Sequence, residues 1–364
     1  MRVTLAAMTL SMPLVWSDRH REHDPAAEIW VGVRTPAAET PARAEAIRAA
    51  LVEAGAPVVE AEAHDDEFLL AVHDAALVAF LEQAWDDWSA AGLPQDPGQD
   101  AVVPYVFAHV GLSSRPPAVP AAPWARPGYF AYDTMTLVGP GTWAGARAAV
   151  DVALTAADLV AGGAPAAYAC CRPPGHHVTR TAYGGSCYLN NAAIAADRLR
   201  ERFANVAVLD VDAHHGNGTQ EVFYGRGDVS VGSVHVDPGS GWFPHFLGFA
   251  SENGAGNGEG ANRNLPLAPG SGDDPWLEAV AELADWAREC DALVISLGVD
   301  AAEGDPESPL AVTPEGFRAA GRTLGALGLP TVVVQEGGYD LASLGGLVLQ
   351  ALAGVEEGLE GARG

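Results

Sequence analysis

The sequence predicts a doubly wound α/β fold in a single domain, and three observations carry that expectation. Short apolar β-branched runs alternate with longer Ala/Leu-rich segments, the runs end in polar clusters, and no linker divides the 364 residues. A parallel sheet covered by helices on both faces leaves this imprint, because its strands are buried on both sides.

Met1 to Trp16 is apolar but interrupted by Thr4, Thr9, Ser11 and Pro13, and no small-residue cleavage site follows, so a first strand is expected rather than a signal peptide. Buried strands are expected at Ala166 to Ala169, Val206 to Val211, Val229 to Val236, Leu293 to Leu297 and Thr331 to Val334. Helices are expected at Thr142 to Ala161, Asn190 to Phe203, Pro275 to Glu289 and Pro314 to Leu327. Thr313 is placed to cap the last of these, with Pro314 at its first position. Two stretches lack periodicity: Gly92 to Pro127, rich in Pro, and Gly239 to Gly272, rich in Gly and Asn. Loops of such length in a compact domain are usually functional, so both are expected as insertions around one site.

Composition narrows the class. Hydrophobic residues make up 48% and charged residues 18%, as in ordered globular chains. A formal charge of −27 repels phosphate backbones and attracts cations, which argues against a nucleic-acid partner; it serves equally as a solubilising surface or as a field that steers a cationic substrate. Cys170, Cys171, Cys187 and Cys290 are too scattered for a disulfide framework or a zinc finger, so free thiols in a reducing cytoplasm are expected. No apolar run reaches the ~18 residues of a membrane span.

The chemistry gathers at strand ends, where open α/β sheets bind ligands. The run Val206 to Val211 leads into Asp210-Val211-Asp212-Ala213-His214-His215-Gly216-Asn217-Gly218. Asp212 and His214, two apart, point to the same side of an extended chain, and a carboxylate oxygen with an imidazole nitrogen suits Zn²⁺; taken alone, such a pair is more often a cap for the next turn. The run ending in Asp300 supplies a third ligand. Three ligands that leave one position open describe a metal able to activate water rather than a structural ion. Arg172-Pro173-Pro174-Gly175-His176-His177 aims two histidines from a stiff loop, and imidazole can take a proton and return it to a leaving amine. Gln335-Glu336-Gly337-Gly338-Tyr339 turns sharply and presents a hydroxyl able to donate to an oxyanion, although a Tyr after Gly-Gly is more often structural.

In this order and spacing the segments resemble the histone deacetylase and acetylpolyamine amidohydrolase family, whose α/β fold is arginase-like. The resemblance runs from His20 to Pro25 and Val72-His73, through Cys187 to Asn191 and Gly298 to Asp305, to Glu336 to Leu341. It implies one Zn²⁺ per chain on Asp212, His214 and Asp300, with His177 as general base and then acid and His176 as its electrostatic partner. It further implies that Asp210 bonds His176, Asn217 orients His177 and Tyr339 polarises the acetyl carbonyl. A K⁺ ion held by carbonyls around Asp210, Asp212, His214 and Ser233 is implied as well; nothing in the sequence itself indicates it.

Phe243-Pro244-His245-Phe246-Leu247-Gly248, Gly256 to Gly260 and Gly128-Tyr129-Phe130 are similar to bacterial acetylpolyamine amidohydrolases, in which the loop matching Gly92 to Pro127 narrows the active site across a dimer interface. A homodimer is therefore expected. The substrate channel would be lined by Phe243 on one wall and by Gly185 and Ser186 on the other, Ser186 standing where the family usually has an aromatic. Glu307 occupies the position of a gatekeeping glutamate in the eukaryotic polyamine-specific member, and a carboxylate there would pair with a cationic amine. Together these imply hydrolysis of a small acetylated polyamine; acetyl-lysine in proteins or an acetylated specialised metabolite is the alternative. An arginase-type dimanganese centre would need an acid at position 216, which is Gly216. A silent acetyl-binding module would have lost the base, the Tyr or a ligand.

Overall fold

The computed structural model describes residues 9–96, 98–112 and 114–364. In chain order the elements are β1 (Leu14–Trp16), β2 (Glu28–Trp30), β3 (Val33–Thr35), α1 (Pro41–Glu53), β4 (Val58–Glu60), α2 (Glu67–Val72), α3 (Ala75–Ala90) and α4 (Pro127–Phe130). There follow α5 (Thr142–Ala161), β5 (Ala166–Ala169), α6 (Asn191–Arg200), β6 (Val206–Asp210), α7 (Asn217–Phe223), β7 (Val229–Val236) and β8 (Asn262–Leu267). The chain closes with α8 (Asp273–Trp286), β9 (Ala292–Leu297), α9 (Pro314–Gly325), β10 (Thr331–Gln335) and α10 (Leu344–Arg363).

Eight strands form one sheet in the order β4-β1-β5-β10-β9-β6-β7-β8, and every adjacent pair is parallel. Alternate residues feed opposite faces: Val206 and Val208 join the core under α3, α5 and α6, whereas Ala207 and Leu209 join the core under α1, α8, α9 and α10. Thr313 caps α9 as expected, its hydroxyl accepting from Gly316 N at 3.1 Å. No helix among the described residues is long and apolar enough to cross a membrane.

The structure departs from the sequence expectations in several places. Of the expected strand Met1 to Trp16, residues 1–8 lie outside the described residues and the strand itself is Leu14–Trp16. The stretch 239–272 is not irregular throughout, because Asn262–Leu267 pairs with β7 as the edge strand β8. The C-terminal helix α10 was not expected, since five glycines weaken its helical pattern. Those glycines serve packing: a methyl on Gly354 or Gly358 would overlap the backbone of α9 at Arg318 or Arg322.

Sheet order explains where the chemistry collects. The strands whose ends are rich in polar residues are separated in sequence, yet β5, β10, β9 and β6 are the four adjacent central strands. Their carboxyl ends open onto one place.

Candidate active site

Asp212 and His214 follow β6, and Asp300 follows β9; one ligating atom from each lies within 4.8 Å of the other two. His214 Nδ1 is 3.2 Å from Asp212 Oδ1 and 3.0 Å from Asp300 Oδ2. Backbone amides fix both carboxylates: Gly337 N donates to Asp212 Oδ2 at 2.7 Å, and Ala213 N to Asp300 Oδ1 at 2.8 Å. Glycines make room, since a methyl on Gly298 would overlap Asp212, and one on Gly337 would overlap both Asp300 and Asp212. Burial would raise the Asp212 carboxyl, but His176 and His214 hold it below the usual carboxylate range. Burial, with the Asp212 charge beside it, pushes Asp300 up to about 7. Crowded buried carboxylates beside one imidazole form a donor set that a divalent cation fits and relieves.

The two histidines after β5 sit in opposite environments. His176 Nδ1 donates to Asp210 Oδ2 at 2.9 Å. Burial alone would lower this ring, but Asp210, Asp212 and Glu336 outweigh it and raise His176 to about 10. His177 Nδ1 lies 2.7 Å from Asn217 Oδ1, an uncharged acceptor. Burial, with His176 and His214 as cationic neighbours, holds His177 well below the ordinary histidine value. Because an amide oxygen only accepts, the His177 proton sits on Nδ1 and Nε2 is free. Glu336, at the end of β10, anchors the histidine loop by accepting from Gly175 N at 2.7 Å and His176 N at 3.1 Å.

Tyr339 is held from two sides. The Arg43 guanidinium lies 4.6 Å from its ring centroid, and Arg43 also donates at 2.6 Å to the carbonyls of Gly338 and Glu336. Asp305 Oδ2 accepts from Tyr339 N at 2.8 Å, while Asp305 Oδ1 accepts from Glu307 N at 3.0 Å, so one carboxylate positions both residues. Burial raises the Tyr339 phenol well above its ordinary value and also raises the half-buried Glu307 carboxyl. Phe243 packs edge-on against His177, ring centroids 4.8 Å apart, and stacks on Tyr132 at 6.3 Å.

Gly185 and Ser186 form a tight turn between Gly184 and Cys187, both at positive φ (60° and 59°). A side chain at 185 would overlap the His177 ring, so Gly185 lies directly on that histidine. Ser186 N donates to Thr136 Oγ1 at 2.9 Å and Gly185 N to Asp133 Oδ2 at 2.6 Å. At Gly216 a side chain would overlap Asp210, which leaves no space for a further ligand there. Sequence reasoning missed Arg43, Glu39 and Tyr132. A buried Arg43–Glu39 pair one helical turn apart (2.9 Å) has the i,i+4 spacing of a surface pair, so only the fold reveals its role.

A model of the histone deacetylase domain matches residues 37–355. The chain belongs to the histone deacetylase family. It is 41% identical over 350 residues to an acetylpolyamine amidohydrolase of Mycoplana ramosa, covering 94% of this chain and 99% of the relative. To the acetylpolyamine amidohydrolase of Burkholderia pseudomallei (strain 1710b) it is 46% identical over 310 residues, 84% of this chain and 87% of that one. A crystal structure of acetylpolyamine aminohydrolase from Burkholderia pseudomallei superposes with a TM-score of 0.90 at 41% identity, covering 96% of this chain and 99% of that chain.

Proposed function

We propose that this member of the family is a zinc-dependent deacetylase that hydrolyses the acetamide of small acetylated polyamines to acetate and a free amine. The observation that carries this reading is the convergence of Asp212, His214 and Asp300 beside one histidine paired to a carboxylate and another paired to an amide. Relatives named as acetylpolyamine amidohydrolases, aligned over nearly their full length, support the substrate class.

In this mechanism Asp212, His214 and Asp300 would hold one Zn²⁺, whose chemistry is to acidify water and polarise a carbonyl. His177, with Nε2 free, takes the proton from the attacking water and passes it to the leaving nitrogen. His176, cationic beside Asp210, stabilises the negative charge that develops. The Tyr339 hydroxyl donates to the carbonyl oxygen, and the preorganised donor needs no rearrangement as charge grows there. Phe243, Gly185 and Ser186 would line the channel, and Glu307 would receive a distal ammonium group.

The same reading includes a structural K⁺ near Asp210, Asp212, His214 and Ser233; the β6–β7 register, which pairs Asp210 with Ser233, favours it. It also includes a homodimer in the cytoplasm. Tyr105, Val110 and Leu112 on the long loop are 72%, 88% and 74% exposed, more apolar surface than a solvated loop needs.

The test is a kcat/KM panel across acetylputrescine, acetylcadaverine, acetylspermidines and acetyl-lysine peptides. The reading expects the acetylpolyamines to lead, and a preference for the peptides would overturn the substrate class. Acetyl-lysine in proteins is the second reading, favoured by the small Ser186 side chain, which leaves one channel wall without an aromatic.

A further inference from the structure

A second group of metal-ligating side chains lies against the first. A ring nitrogen of His176, the Cys187 sulfur and a Glu336 carboxylate oxygen all lie within 4.8 Å of one another, and all three residues are buried. Glu336 is fully shielded from solvent; its Oε2 receives two backbone amides, whereas its Oε1 is buried with no hydrogen-bond partner. An orphaned buried carboxylate oxygen in a native site demands an explanation, and a bound cation is one of the few available. Asp210 and Asp212 add negative charge around the same histidine, at 2.9 Å and 3.9 Å.

The donor chemistry differs from that of the neighbouring site. Asp212, His214 and Asp300 offer only oxygen and nitrogen. The thiol, imidazole and carboxylate of the second cluster suit a borderline or soft ion such as Zn²⁺ or Cd²⁺. We infer that His176, Cys187 and Glu336 form a second, inhibitory site for a thiophilic divalent cation. On binding, the Cys187 S–H bond and one N–H bond of the His176 imidazolium break, a sulfur–metal and a nitrogen–metal bond form beside the Glu336 carboxylate, and both protons leave to solvent, with no change of oxidation state. The ion competes with Asp210 and with the acetyl chemistry for His176, so turnover falls although the first metal stays in place.

The inference rests on the reading of Asp212, His214 and Asp300 as the primary metal site. The experiment titrates Cd²⁺ into enzyme loaded with one equivalent of Zn²⁺, following the ultraviolet thiolate-to-cadmium band, bound metal by elemental analysis and turnover in parallel. The expected result is a band that saturates at one further equivalent, with turnover falling in step by at least about tenfold, the scale of losing an acid–base partner. Cys187→Ser should keep one Zn²⁺ and its basal turnover, show no band, and need at least about tenfold more Cd²⁺ for the same inhibition; Cys187→Ala repeats the test should the serine disturb packing. Absence of a band in the wild type, or a band that survives in both variants and so belongs to Cys170, Cys171 or Cys290, overturns the inference. The band is read without substrate. A chain that takes no Zn²⁺ at the first site would therefore defeat the proposed function while the band still decides the second site.

Discussion

Asn217 Oδ1 lies 2.7 Å from His177 Nδ1, whereas the adjacent His176 has a carboxylate, Asp210, at 2.9 Å. Burial and the cationic neighbours keep His177 neutral, while Asp210, with Asp212 and Glu336, keeps His176 charged, so the partner on Nδ1 is where the two adjacent rings diverge. Asn217→Asp should therefore raise His177, because a carboxylate stabilises the imidazolium, and the acid limb of the kcat/KM profile should move to higher pH. An unmoved limb would remove His177 as the base. His177→Ala should lower kcat by about 10²–10⁴ with bound zinc unchanged.

Arg43 above the Tyr339 ring and Asp305 beneath its backbone fix the phenol, and burial keeps it protonated as a donor. Tyr339→Phe removes only the hydroxyl. Its expected effect is a fall in kcat of about 10²–10³, the scale of one oxyanion donor, with KM and zinc content nearly unchanged. Full activity in that variant would sink the mechanism.

Metal content should depend on residues that never touch the ion. Asp300→Ala removes a proposed ligand and should leave the protein without zinc. Gly298→Ala adds only a methyl, but that methyl would overlap Asp212. Elemental analysis of purified Gly298→Ala should show zinc well below one per chain, and chelator should inactivate the wild type reversibly; stoichiometric zinc in the alanine variant would contradict the proposed ligand set.

His73 supplies a pH prediction about stability. Its Nδ1 is 3.0 Å from the Thr179 carbonyl, and its Nε2 accepts from Asn190 N at 2.9 Å, a geometry that needs the neutral ring. Burial lowers it to about 4. The unfolded chain takes this proton near pH 6.5 and the folded chain only near 4, so the unfolded state binds more protons across that window and stability falls as pH drops. One such group contributes about 1.4 kcal/mol per pH unit there. Urea unfolding between pH 7 and 5 should be less steeply pH-dependent in His73→Gln by about that slope, and equal slopes would contradict the assignment.

The sheet was legible because its central strands are continuous apolar runs, and Asp212, His214 and Asp300 because strand ends cluster in a parallel fold. The shortest strands were not: Val58–Glu60 at one edge of the sheet, and Glu28–Trp30 and Val33–Thr35, which pair with each other as a separate antiparallel hairpin, are three residues each, too short to show a period. Neither was α1, whose buried face sets the charged Arg43 beside Ala44, Ile47 and Leu51. Arg43 acts through long-range contacts with the loop after β10, up to 295 residues away, and Glu39 through Arg172, 2.8 Å from its carboxylate; no local pattern encodes such partnerships. The resemblance to a known family supplied Asn217 and Glu307, which spacing alone would have left as turn residues.

Glu307 bears on substrate choice. It is half-buried, fixed through its amide to the carboxylate that also holds Tyr339, and its own carboxyl is raised first by burial and then by Asp305. A carboxylate whose charge is disfavoured by burial gains most when a cation arrives, because the pairing offsets part of the cost of holding that charge away from water. A distal ammonium group in the substrate would do this; the neutral flank of an acetyl-lysine peptide would not. Glu307→Leu should therefore lower kcat/KM for acetylputrescine relative to an acetyl-lysine peptide by about tenfold or more, the range of a charge-assisted contact. Since the chain carries a formal charge of −27, part of the preference is long-range steering, which salt screens within ~8 Å at physiological strength. Raising salt should thus erode the polyamine preference of wild type and Glu307→Leu alike, while the gap between the two persists at high salt. A ratio that Glu307→Leu leaves untouched would assign the preference to the general field and remove the gatekeeper.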